Sequence, residues 1–547
     1  MSGEPNPSST PIEPAPGLWG ALSHPAFAAI WIASTVALTG IAISDTASGW
    51  LMTSLNADPT AVSMVQVAAN LPMFLFTLPA GALADIFDPR RFLLAIETII
   101  TVLIAVFATL VSLRLATPGL LLLNTFLLSA AWSLAAPAWL SITPLLVPRR
   151  DLDNATAANN IGYNISRAVG PALGGVAIAG VGIAAPFWIF AACNATAIAA
   201  LLWWRSPRKG TESLPAERLM SAIRTGVRHA ANNRHLGATI MRAMAFFPFA
   251  SAYWALLPLV ARRQIVQGPE LYGLLLGAIS VGAIAGAFAL DGLKRRLGLD
   301  RAAAAAALSA ASALVLFGLA RDPIVALCAS LVAGASWIVV LANLYVSAQE
   351  ALPDWVRARG LAIFLTAIFG ATTVGSAVWG QIAAAAGLPM AYFAAAAGAV
   401  LAIPLTWRWK IQTGAGLDLT PSLRWPVPRL AHGVANDKGP VLVTVEYRIN
   451  SAGRREFLAA PHELGHERRR DGGYAWGIFE DAADPGRFVE TFRIESWLQL
   501  LHLRERVTNA DRLLEDQIRR LLANPPKVTL LIAAECSRSR RVRIAGA

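Results

Sequence analysis

Three charged side chains stand out inside otherwise apolar stretches, and each is a residue type that could do chemistry there. Asp45 is the sole charge between residues 25 and 53. A carboxyl group in such a run can take up and release a proton, which makes Asp45 the proton-coupling candidate; the alternative is a helix-end residue near the outer surface. Arg167 lies beside Gly170-Pro171 and could hold an anionic substrate or pair with an acid. Glu97, about one and a half turns into its run, reads as one half of a cytoplasmic-side ion pair. Arg242, near the start of a later run, reads as a residue whose head snorkels to the interface. Asn70, Asn124, Asn343 and Gln381 read as hydrogen-bonding links between helices. Cys193, Cys328 and Cys536 have no metal-ligand spacing, and His462, His466 and His502 have neither metal spacing nor a nucleophile beside them. No nucleotide-binding loop is visible, so ATP is not the expected energy source; no metal, no cofactor and no catalytic residue is expected either.

The stretches that hold these charges are the dominant feature. Of 547 residues, 55% are hydrophobic and 15% charged, and the mean hydropathy is +0.52. Apolar runs of more than about eighteen residues mark membrane-spanning helices rather than the period-two strands of a barrel. The runs are 25–53, 60–84, 92–114, 117–146, 155–181 and 183–204, then 237–261, 270–291, 302–320, 323–348, 358–386 and 388–407. This predicts an all-α polytopic protein of two six-helix bundles, 24–204 and 237–409, joined by a basic connection, 205–236. Residues 1–23 read as a disordered tail.

The net charge of +12 does not imply nucleic acid, because the Lys and Arg sit in short loops and in the tail. Arg90, Arg91, Arg149, Arg150, Lys294, Arg295, Arg357 and Arg359 fall on one side, whereas Arg114, Arg262, Arg263 and Arg321 fall on the other. The first side is cytoplasmic by the positive-inside rule, which places both termini inside an inner membrane. The second half repeats the first: Asp291-Gly-Leu-Lys294-Arg295 stands after its second span, as Gly81-Ala-Leu-Ala-Asp85 and Arg90-Arg91 do in the first.

Gly81-x-Leu83-Ala-Asp85 with Arg90-Arg91 resembles the loop-two signature of the major facilitator superfamily, with Asp88-Pro89 where that family usually has Gly. Ala136-Pro137-Ala138-Trp139, the run from Asn164 to Gly175, and Pro353-Asp354-Trp355-Val-Arg357-Ala-Arg359-Gly360 resemble its enterobactin-exporter-like branch, the transmembrane secretion effectors. The resemblance covers about residues 20–410 and departs before span one, where His24-Pro25 stands in place of a basic residue. It implies alternating access, with Gly81, Asp85, Arg90 and Arg91 as a cytoplasmic latch and Asp291, Lys294, Arg295, Arg357 and Arg359 as its second-half counterpart. Gly170, Pro171, Gly174 and Gly175 resemble the core of an antiporter motif, as a hinge and close-packing element.

Beyond a linker, 410–439, residues 440–534 alternate strand and helix composition in the order βαββαβ, which is ferredoxin-like. Gly477-x-Phe479-Glu480-Asp481 and Phe492-x-x-Glu495-Ser496-Trp497 resemble the antibiotic-biosynthesis-monooxygenase-like α+β barrels, which implies a homodimer through the sheet. A basic end, 535–547, is expected against anionic lipid. The expectation is a secondary transporter in the bilayer, exchanging a small organic molecule, siderophore or drug-like, for protons. The alternatives are an importer on the same scaffold and a membrane-tethered enzyme or sensor acting through residues 440–534.

Overall fold

The computed structural model describes residues 19–205, 227–411, 438–449, 454–459, 461–506, 518–522 and 524–533. Most of the N-terminal tail, of the connection and of the linker lies outside them, as does the basic tail. So do the side chains of residues 81–86, among them Gly81 and Asp85, and that of Asp354.

Twelve long helices form among the described residues: α1 Pro25–Leu55, α2 Pro59–Ile86, α3 Pro89–Ser112, α4 Pro118–Leu146, α5 Leu152–Gly180, α6 Ala185–Trp203, α7 Arg234–Leu259, α8 Pro269–Leu297, α9 Leu299–Leu319, α10 Pro323–Glu350, α11 Asp354–Ala386 and α12 Leu388–Thr406. Half of them begin on proline, whose missing N–H costs nothing in the first turn and whose fixed φ is already helical. Asp88 and Thr117 cap α3 and α4 by accepting the N–H of Arg91 and of Leu120. Gly298, at φ 76°, ends α8 and turns the chain into α9.

Eleven of these helices are long and apolar enough to cross a membrane. The exception is α5, whose first half carries Asp153, Asn154, Asn159 and Asn160. Exposed side chains on α3 include Ile99, Val102 and Val106, at 53–55%. Apolar groups along one exposed helix stripe are what lipid accepts and water does not. The chain is a multi-pass membrane protein.

Two compact units result. The first lies within residues 1–213, 243–343 and 365–408. In it α1 packs on α5 and α6, α2 on α4, α3 on α4 and α6, α5 on α8, and α9 on α12. An aromatic cluster fills its second half: Phe247 and Trp337 meet edge to face at 4.8 Å, and Tyr253, Phe317 and Tyr392 stack in sequence.

The second unit lies within residues 214–242, 344–364 and 409–547. Its sheet is antiparallel, with β1 Val441–Arg448, β2 Tyr474–Glu480, β3 Arg487–Ile494 and β4 Lys527–Ile532 in the order β2-β3-β1-β4. This is the ferredoxin-like order. Alternation along β1 buries Val441, Val443, Val445 and Tyr447 against Phe457, Leu464 and Trp497. Inside that core Glu490 is fully buried and satisfied, accepting from Tyr447 Oη at 2.6 Å, Trp476 Nε1 at 2.9 Å and Arg468 Nε at 3.3 Å.

Also in this unit, Arg228 Nη2 lies 3.0 Å from Glu495 Oε1, with the guanidinium 5.3 Å from the Tyr474 ring centroid. Arg242 corrects an expectation. It is 7% exposed rather than snorkelling, because its Nε donates to the carbonyl of Trp409 at 2.9 Å and so satisfies the head inside the protein.

Candidate functional site

Within the first unit a cavity of about 490 Å³ opens between helices of both halves. Asp45 of α1 and Arg167 of α5 line it together with Trp132, Tyr163, Trp254 and Tyr272. Asp45 lies inside α1, short of its end at Leu55, and its exposed side chain lines the cavity. Its carboxylate makes no hydrogen bond among the described residues.

Helix α5 is held where Arg167 can reach the cavity by contacts on two sides. Ser166 Oγ donates to Thr35 O of α1 at 2.9 Å and accepts from Thr39 Oγ1 at 3.0 Å. Ser280 Oγ of α8 donates to the carbonyl oxygen of Arg167 at 2.7 Å. The glycines of the motif set the spacing. A Cβ on Gly170 would lie 2.6 Å from Ala42 Cβ, and one on Gly174 would lie 3.0 Å from Ile43 O, both on α1. One on Gly175 would lie 2.6 Å from Pro269 O of α8. Bare glycine surfaces are what let three backbones approach this closely.

The Arg167 guanidinium lies 5.7 Å from the Tyr163 ring centroid and 5.9 Å from that of Trp254. Among the described residues its one hydrogen bond is a long one, 3.4 Å, from Nη1 to Tyr163 Oη. No ion pair joins it to Asp45 among the described residues. The site is therefore an acid and a base held apart in an aromatic-walled cavity, with hydrogen-bonding capacity left on both.

Beyond one end of the cavity the halves meet. Arg262 donates to Thr53 Oγ1 at 2.9 Å and to Ser54 Oγ at 2.6 Å, and lies 5.4 Å from the Trp50 ring centroid. Trp50 stacks on Tyr272 at 6.3 Å.

Glu97 is placed elsewhere. It is 2% exposed and no cation pairs with it among the described residues, contrary to the ion pair expected from sequence. Trp139 Nε1 donates to its Oε1 at 2.8 Å, while Asn194 Nδ2 donates to its backbone carbonyl at 3.0 Å. An indole donor satisfies the carboxylate without burying a second charge.

At the α2–α3 turn, Arg90 Nε and Nη2 donate to the carbonyls of Leu201 and Leu202, at 2.8 and 3.0 Å. A cation at the C-terminal end of α6 complements its dipole. Arg91 is exposed. In the second half Asp291, Lys294 and Arg295 occupy the end of α8, and Arg357 and Arg359 the start of α11. Asn70 lines the cavity, Asn124 and Asn343 are buried, and Gln381 is exposed.

Sequence reasoning missed Tyr163, Trp254 and Tyr272. Only Tyr163 carried a signal, its place one helical turn before Arg167.

Comparison with known proteins agrees with this architecture. The multidrug efflux pump Tap of Mycobacterium tuberculosis is 26% identical over 413 residues, which cover 73% of this chain and 94% of that relative. The enterobactin exporter EntS of Salmonella typhi is 26% identical over 270 residues, covering 48% and 63% respectively. Among solved structures, the nucleoside transporter NupG aligns with a TM-score of 0.55 at 14% identity, covering 70% of this chain and 98% of its own. A POT family transporter in complex with 5-aminolevulinic acid aligns at 0.57 and 12%, covering 70% and 95%. At such identity these structures speak for the fold alone, which is that of major facilitator transporters. Residues 16–538 match the transmembrane secretion effector family, and with nearly the whole chain matched, the protein belongs to that family and is a transporter.

Proposed function

We propose that the protein exports a small organic molecule, siderophore or drug-like, by alternating access of its two six-helix halves, with proton entry as the driving step. The observation that carries this reading is Asp45, a carboxylate within α1 that lines the cavity and has no hydrogen-bond or ion-pair partner among the described residues. An acid so placed can exchange a proton with whichever side the cavity faces. The relatives named as an efflux pump and a siderophore exporter support the outward direction.

In this reading the protein sits in the inner membrane with both termini and the sheet domain in the cytoplasm. Asp85 and Arg91 latch the cytoplasmic face, with Arg90 holding the turn to α6, and Asp291, Lys294, Arg295, Arg357 and Arg359 serve the second half. Gly170, Pro171, Gly174 and Gly175 form the packing surface on which α5 moves. The contacts of Arg262 then close the outer end. The sheet domain is an accessory, and its core, filled around Glu490, supports that role over a ligand-binding one. Its other face, with Leu531 51% and Phe479 60% exposed, is the surface for a homodimer.

The test is accumulation of a labelled siderophore and a panel of fluorescent drugs in cells with and without the protein, and with Asp45→Asn. Efflux that collapses when the proton gradient is discharged, and is lost in the variant, supports proton-coupled export. Accumulation unchanged across the panel removes this substrate class.

A further inference from the structure

Asp45 and Arg167 are opposite charges lining one cavity, and among the described residues neither forms an ion pair. Asp45 has no hydrogen bond among the described residues, and Arg167 uses one of its five donors, in a 3.4 Å bond. Charges at this depth are costly unless partnered, and here they do not partner each other. A ligand with one charge would satisfy one of them and leave the other exposed to a less polar surrounding. A ligand with both would satisfy both.

The walls add the rest. Tyr163 and Trp254 lie within cation–π range of the guanidinium, and the N–H groups other than the one on Tyr163 Oη have no acceptor among the described residues, which suits a planar anionic group. Trp132 and Tyr272 extend the aromatic lining. A volume of about 490 Å³ suits a small organic molecule rather than a peptide chain.

Resting on the export reading above, we propose that the cavity takes an amphoteric aromatic molecule, its ammonium group on Asp45, its anionic group on Arg167 and its ring between the aromatic side chains. The titratable or charged groups lining the cavity are Asp45 on α1, Tyr163 and Arg167 on α5, and Tyr272 on α8. Ammonium and proton thus compete for the same carboxylate oxygens, which is the exclusion that exchange of one for the other needs. While the molecule is bound, its anionic end neutralises Arg167.

The experiment titrates the purified full-length protein with four molecules sharing one ring system, followed by the shift in unfolding temperature. They are free tryptophan, tryptamine, indole-3-propionate and 3-methylindole. Tryptophan is expected to bind at least tenfold more tightly than either singly charged form, and 3-methylindole most weakly. Asp45→Asn is expected to remove the advantage of tryptophan over indole-3-propionate, and Arg167→Gln its advantage over tryptamine. The wild-type ranking alone is decisive if either variant fails to fold. A singly charged or neutral indole binding as tightly as tryptophan overturns the proposal, and so does the absence of binding by all four. If that absence accompanies efflux that still depends on Asp45, the amphoteric class falls and export stands. If efflux is also indifferent to Asp45, both fall.

Discussion

His24 Nε2 lies 3.1 Å from Asp151 Oδ2, joining the residue before α1 to the residue before α5 across 127 positions of sequence. The Asp151 side chain is 2% exposed, and its other charged neighbour, Arg150 Nε, is 3.6 Å away and mostly in solvent. His24 stands at the position before span one where the resemblance leads one to expect a basic residue, and it contacts this acid. Replacing His24 with Ala leaves the buried Asp151 Oδ2 with only the longer 3.6 Å contact to Arg150, at a cost of about 1–3 kcal/mol. His24→Arg is expected to unfold close to the parent temperature and His24→Ala several degrees below it. Equal unfolding temperatures for all three proteins would remove the contact from the fold's energetics.

Glu97 and Trp139 give a second pair of opposed outcomes. Gln in place of Glu97 still offers an oxygen to the indole N–H, so Glu97→Gln should retain transport and its response to the proton gradient. Trp139→Phe removes the indole donor from the buried acid, which should cost about 1–3 kcal/mol of stability. Loss of proton coupling in Glu97→Gln, with folding intact, would move the proton carrier from Asp45 to Glu97.

Close approach at Gly175 predicts a position effect within one helix. A methyl group there meets Pro269 O at 2.6 Å, whereas one at Gly180 meets nothing within 4 Å. Gly175→Ala is expected to lose about 1–3 kcal/mol through overpacking and to slow transport, and Gly180→Ala to leave both unchanged. Thermal unfolding and efflux measured on the two variants side by side decide it, and equal behaviour would refute the packing account.

In the sheet domain, Asp481 accepts from the N–H of Ala483 at 2.9 Å and from Arg487 Nη1 at 2.7 Å. These bonds, the backbone one first, hold its carboxyl below the ordinary value of 3.8. The folded state therefore binds this proton less readily than the unfolded state does. Its stabilisation is complete above about pH 4 and fades as pH falls further, through the lowered folded value. Amide exchange in β2 and β3 should be faster in Asp481→Asn than in the parent at neutral pH, with the gap closing on acidification. A gap that widens toward low pH would contradict the sign.

Much of this was legible from sequence because bilayer burial is written in contiguous runs. The twelve helices follow those runs to within a few residues, and an acid such as Asp45 stands out in a run that has no other charge. The βαββαβ order of the tail was readable from alternation, as in Val441–Arg448. Partners across helices were not readable. Nothing in the local sequence ties Glu97 to an indole 42 positions later, Arg90 to carbonyls beyond position 200, or Arg242 to Trp409. Those contacts depend on which helix faces meet, and periodicity fixes a face without naming its neighbour.

Arg228 and Arg242 precede or open the seventh span, yet their acceptors, Glu495 and Gly472 for the first and Trp409 for the second, come after the twelfth. A stop codon placed behind α12 would therefore do more than subtract a passenger. It would take the acceptors from two arginines at the root of α7, and a dead truncation would report that injury as readily as any duty of the sheet domain. Subtractive genetics is the wrong instrument for this tail. Point changes such as Glu495→Gln, which release one handhold and leave the polypeptide whole, are the ones whose phenotypes can be read.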